Sequence, residues 1–124
     1  MMLSLERRAR KPSLLACLGG LLAAAAIGVS AWAAHGVADP HAQSLLDTAS
    51  LYAFGHGAVL AALGPRADRS FGRLSLYLLL MGTLLFSGSL VAGAMLQWST
   101  RLAPIGGGTL MAGWLLLAIN ALRR

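Results

Sequence analysis

Ser44, Thr48, Tyr52 and His56 recur at intervals of four residues. On a helix that interval sets side chains along one slowly drifting face. Two hydroxyls, a phenol and an imidazole in a row could pass protons, hold a polar solute or tie helices together. Which of these applies depends on what surrounds the imidazole, and the remaining sequence points to a lipid bilayer.

The chain has 124 residues, of which 57% are hydrophobic and only 11% charged. A soluble domain of this size carries about 25% charged residues. Long apolar stretches free of Asp, Glu, Lys and Arg are separated by short basic clusters. The expected fold is all-α: one integral membrane domain over residues 1–124, with four transmembrane helices in a compact bundle. The helices are expected at about 14–34, 44–63, 74–96 and 104–122, the last opening on Pro104, a residue suited to a first helical turn.

The basic residues set the expected threading. Arg7, Arg8, Arg10 and Lys11 precede the first span, Arg66, Arg69 and Arg73 lie between the second and third, and Arg123 and Arg124 follow the fourth. Only Arg101 falls on the other side. The positive-inside rule then places both termini in the cytoplasm. The net charge of +6 reads as a topology signal and not as a nucleic-acid surface, because no basic-and-aromatic motif accompanies it. Ala31-Trp32-Ala33 looks like a signal-peptidase site, but the apolar run before it is longer than a usual signal core. Cys17 stands too early in its apolar run for a lipoprotein signal and reads as a packing residue.

In this setting His56 becomes the candidate site. It lies about seven residues, roughly 10 Å, from the inner end of the second span. Trp114 on the fourth span falls at a similar depth, with Thr83 and Ser87 on the third slightly further out. Polar groups left unpaired in hydrocarbon cost several kcal/mol. His56, Tyr52, Thr48, Thr83, Ser87 and Trp114 should therefore face inward and meet one another. No charged partner accompanies His56 in the interior, so a hydrogen-bonded cross-link is the plainer reading and proton or solute handling the sharper one. No metal or other cofactor is expected. His35 and His41 lie at the outer surface, about 15 Å or more from His56, whereas ligands must stand within roughly 2–3 Å of one ion. With Asp39 they could share a surface ion, though a polar loop explains them equally well.

Helices in lipid associate through small residues and interhelical hydrogen bonds. The expected packing positions are Gly20, Ala24 and Gly28 on the first span, Gly57 and Ala61 on the second, and Gly108 with Ala112 and Thr109 with Gly113 on the fourth. Gly106-Gly107-Gly108 lacks the Lys-Ser/Thr ending of a phosphate loop and is expected to serve close helix contact.

Tyr52-Ala53-Phe54-Gly55-His56-Gly57-Ala58-Val59-Leu60 resembles the Tyr-x-x-x-His-x-x-x-Leu stretch of domain-of-unknown-function family 423. Leu85-Phe86-Ser87-Gly88-Ser89-Leu90 resembles its Leu-Phe-Ser-Gly-Ser-Leu motif, and Ala103-Pro104-Ile105-Gly106-Gly107 with Ala112-Gly113-Trp114 its Thr-Pro-x-Gly-Gly and Gly-Trp motifs. Ala33-Ala34-His35-Gly36 is similar to its Gly-Ala-His segment. The chain departs at Ser30 and Ala33, where the family has glycines, and at Val91, where an aromatic is frequent. The family includes bacterial inner-membrane proteins and the animal protein called transmembrane protein 256. The resemblance implies a multi-pass protein of the plasma membrane, here a bacterial inner membrane, without an established activity.

The expected function is that of a small structural or accessory membrane component, not an enzyme. It would act in the bilayer through contacts with itself or a membrane-protein partner and bind no nucleic acid. The alternative is an oligomeric transporter or channel subunit using the polar seam that ends at His56.

Overall fold

Capping residues open the first two helices. In a computed structural model describing residues 12–67 and 70–123, Ser13 Oγ accepts the Ala16 N–H at 3.1 Å and starts α1, Leu14–Gly36. Asp39 Oδ2 does the same for the Ala42 N–H at 3.1 Å and starts α2, Pro40–Leu63, with proline in the first turn. This carboxylate-plus-proline signal sets the start of α2 four residues before the expected Ser44. A 3₁₀ turn, Gly64–Arg66, leads toward α3, Ser70–Leu96, and α4, Leu102–Leu122. Pro104 thus lies within the first turn of α4 and not at its start; no amide there needs an intrahelical partner. Of the basic residues that set the threading, Arg7, Arg8, Arg10, Lys11, Arg69 and Arg124 lie outside the described residues.

Three helices, Leu14–Gly36, Ser70–Leu96 and Leu102–Leu122, are long and apolar enough to cross a membrane. α2 is as long but the least apolar, carrying His41, Gln43, Ser44, Asp47 and Thr48 in its first half. Leu21, Ile27, Leu51, Phe54, Leu84, Met111, Leu115 and Ile119 face outward. Water would not tolerate so continuous an apolar surface.

The helices pack in chain order. α1 lies against α2, α2 against α3, and α3 against α4, whereas α1 meets α3 at few positions. α1 and α4 share no extensive contact among the described residues. The arrangement is two hairpins joined along α2 and α3, more open than the expected compact bundle. All three pairings are antiparallel: Gly64 meets Ser13 and Ala16, Leu45 approaches Gly93, and Gly72 meets Asn120. Arg66, Arg73 and Arg123 therefore share one end, and Arg101 lies at the other. Leu15, Leu60, Leu76, Leu79, Leu80 and Leu110 form the main core; Ala49, Leu90 and Ala103 form a smaller one.

Backbone contact sets the register within each hairpin. A Cβ on Gly19 would stand 2.5 Å from Gly57 O, and one on Gly57 would stand 2.6 Å from Gly19 O. Likewise a Cβ on Gly82 would lie 2.9 Å from Leu110 N, and one on Gly106 would meet the Phe86 backbone. These pairs correct part of the packing expected from sequence. Gly20, Gly28 and Gly108 have open space where a side chain would be, and Ala24 and Ala112 are exposed. The buried stripe on α1 is Leu15, Gly19, Ala26 and Ala33, and on α4 it is Ala103, Gly106, Leu110 and Gly113. One residue turns a helix by about 100°, so a stripe beginning at Gly20 faces away from α2 when Gly19 faces it. Gly57 is buried against α1 and Gly113 against Leu78 and Leu79 of α3. Ala61 is exposed, although its backbone N lies 2.7 Å from a Cβ on Gly19.

Candidate functional site

α2, α3 and α4 converge on His56, which is 7% exposed. Trp114 on α4 donates its indole N–H to His56 Nε2 at 3.0 Å. An indole nitrogen can only donate, so Nε2 must accept. The ring proton then sits on Nδ1, 2.7 Å from Tyr52 O, and donates to that carbonyl. Helix geometry makes this contact available: Tyr52 precedes His56 by one turn, and its carbonyl is already the acceptor of the His56 amide. Both ring nitrogens of a neutral imidazole are therefore occupied within the protein.

Aromatic rings close the site. The Tyr52 and His56 rings stack with centroids 6.0 Å apart and planes 12° from parallel. Phe86 on α3 packs on Tyr52 at 4.7 Å, and Trp114 tilts over His56 at 5.8 Å. Such contacts contribute about 1 kcal/mol each beyond the area they bury.

The remaining seam residues are not gathered here. Ser87 Oγ donates to Ala49 O at 2.8 Å and ties α3 to α2 one region further along. Thr83 is fully buried but turns back to Leu79 O on its own helix at 2.6 Å. Ser50, which the four-residue spacing passes over, does the same to Leu46 O at 2.8 Å. Thr48 is half-buried and Ser44 exposed, and neither donates a side-chain hydrogen bond among the described residues. Of the six residues expected to face inward and meet, Tyr52 and Trp114 each touch His56, but they are themselves 40% and 43% exposed. Phe86 joins them unanticipated; an aromatic in an apolar run carries no spacing that would single it out. Among the described residues no group of three His, Cys, Asp or Glu could hold a metal ion.

The family profile described as "Protein of unknown function (DUF423)" matches residues 29–107, which include His56, Tyr52 and Phe86. The chain belongs to this DUF423 family. Similar curated proteins carry the matching name "UPF0382 membrane protein". That of Haemophilus influenzae is 40% identical over 107 residues, covering 78% of this chain and 84% of the relative. That of Staphylococcus epidermidis is 34% identical over 113 residues, covering 86% and 93%. Another from Staphylococcus saprophyticus is 33% identical over 113 residues, covering 86% and 94%. These names make the DUF423 chain a membrane protein of a family without an assigned activity. No solved structure matches it.

Proposed function

We propose that this protein is a four-span structural or accessory component of the bacterial inner membrane, with both ends cytoplasmic. It acts through helix contacts and catalyses no reaction. The observation that carries this reading is the closed hydrogen bonding of His56, whose two ring nitrogens end on Trp114 and on the Tyr52 carbonyl. A group that relays protons or solute needs a free position, and this imidazole has none. The other buried hydroxyls with assigned bonds, Ser50, Ser75, Thr83 and Ser87, likewise end on backbone carbonyls.

Several observations support the four-span placement. α2 lies between α1 and α3 and buries Ser50 and His56 there, while its exposed polar residues His41, Ser44 and Asp47 gather near its start, at one end of the helices. Arg66, Arg73 and Arg123 share one end of the helices, as the positive-inside rule requires of a cytoplasmic face. On α1 the stripe Gly20, Ala24 and Gly28 is left open and offers close helix approach to a second copy or another membrane protein.

The test is oxidative crosslinking in native membranes. Cys17 is replaced by Ser and a single cysteine is placed at Ala24. A specific crosslinked species, absent when the cysteine is moved to Leu51, is the expected result. A strictly monomeric, partner-free protein would overturn the accessory reading. Proton or solute flux in proteoliposomes that disappears in His56→Ala would favour the transporter alternative.

A further inference from the structure

A recess unrelated to His56 lies at the end of the helices opposite Arg66, Arg73 and Arg123, where the α1–α2 and α3–α4 connections meet. It encloses about 530 Å³, and its wall includes Asp39, His41, Leu45, Gly93, Gln97 and Trp98. His35, which the sequence would group with Asp39 and His41, is not part of it.

The rim is fixed by its own bonds. Trp98 N–H reaches back to Ala92 O at 3.4 Å, Arg101 N–H to Ser99 Oγ at 3.3 Å, and Ala103 N–H to Thr100 O at 3.0 Å. In the α1–α2 connection, Gln43 Nε2 donates to Val37 O at 2.5 Å. Gly93 lets the α3–α4 connection lie against α3: a Cβ there would meet Thr100 Cγ2 at 2.7 Å. Gln97 holds φ at 56°, the one positive φ outside glycine among the described residues. Backbone of this kind costs about 1–2 kcal/mol and persists where its surroundings fix it.

The fixed wall presents groups that the fold itself does not use. Asp39 Oδ2 caps α2, but its second oxygen makes no hydrogen bond among the described residues. Neither do the His41 ring, the Gln97 amide or the Trp98 indole N–H, and Trp98 is 65% exposed. Arg101, the basic residue at this end, does not line the recess. A carboxylate and an indole among the residues lining one recess suit a cation carried on an organic frame. The carboxylate and the Gln97 carbonyl accept from an ammonium N–H, and the indole attracts its charge. An anion would meet the Asp39 charge, and a purely apolar ligand would bury that carboxylate unpaired.

We propose that this recess binds an organic ammonium group at the membrane surface, as a phospholipid headgroup or as a free amine. The inference is independent of the accessory role, which crosslinking decides.

The test uses isothermal titration of the full-length protein in detergent. The probes are short-chain phosphatidylethanolamine, short-chain phosphatidylglycerol and free ethanolamine. Saturable binding of phosphatidylethanolamine, about tenfold tighter than phosphatidylglycerol, is the expected result. Asparagine caps helices as well as aspartate does, so Asp39→Asn keeps α2 intact and should weaken binding about tenfold. Trp98→Leu should weaken it similarly, and Tyr77→Phe at the far end should leave it unchanged. Ethanolamine binding as tightly as the lipid identifies a solute site; lipid binding alone identifies a headgroup site. Equal binding of the two lipids, no saturable binding, or unchanged binding by a helical Asp39→Asn variant would each overturn the proposal.

Discussion

Trp114 and His56 are joined by one hydrogen bond of 3.0 Å between two helices that share no extensive contact among the described residues. The bond makes His56 a three-helix junction. It stands on α2, holds Trp114 of α4, and stacks on Tyr52, which in turn meets Phe86 of α3.

Removing either partner should loosen α4. Interhelical hydrogen bonds in membranes contribute about 1 kcal/mol. Trp114→Phe keeps an aromatic ring at the position and deletes the donor, and His56→Ala deletes the acceptor. A double-mutant cycle on detergent-unfolding free energies should return a coupling of about 1 kcal/mol, and a coupling near zero would deny the bond.

Gly19 and Gly20 should respond differently to the same change. A side chain at Gly19 collides with Gly57 O, and one at Gly20 meets nothing within 4 Å. Gly19→Val should destabilise the chain by about 1–3 kcal/mol through overpacking. Gly20→Val should leave monomer unfolding nearly unchanged. Denaturation in detergent, followed by helical circular dichroism, compares them.

Ser87 and Thr83 form a similar pair of contrasts. Ser87 bonds across to Ala49 O and Thr83 bonds within its own helix. Ser87→Ala should cost about 0.5–1.5 kcal/mol in the same unfolding assay. Thr83→Val keeps the shape and removes a hydroxyl that joins no second helix, so its cost should be clearly smaller.

Gln97 should tolerate glycine. Glycine adopts positive φ without steric cost. Gln97→Gly should raise the free energy of unfolding by up to about 1 kcal/mol in that assay. Gln97→Val should lower it, because β-branched residues fit this conformation worst.

Which helix packs on which was not legible in the sequence, but the four helices were, because apolar runs and basic clusters alternate. Helix starts were less so. Asp39-Pro40 signals a cap as clearly as any residue pair here, but the polar residues that follow mask it as a loop. Tyr52 and His56 were linked by their four-residue spacing, and Trp114 was added to them by depth counting. Thr83 was not, since a buried hydroxyl can turn to its own carbonyl as readily as to a neighbour. The packing glycines were the hardest to read. α1 carries glycine at both 19 and 20, and spacing cannot choose between adjacent faces; only the identity of the neighbouring helix decides.

Every extensive contact joins helices adjacent in the chain. Contact order is accordingly low, and little loop-closure entropy opposes assembly. A nascent chain can complete the Gly19–Gly57 hairpin while the second half is still being synthesised. The Gly82–Gly106 hairpin can then form by itself. Insertion into the membrane thus reduces to two local foldings and one docking along α2 and α3, with Trp114 reaching His56 only at that last step.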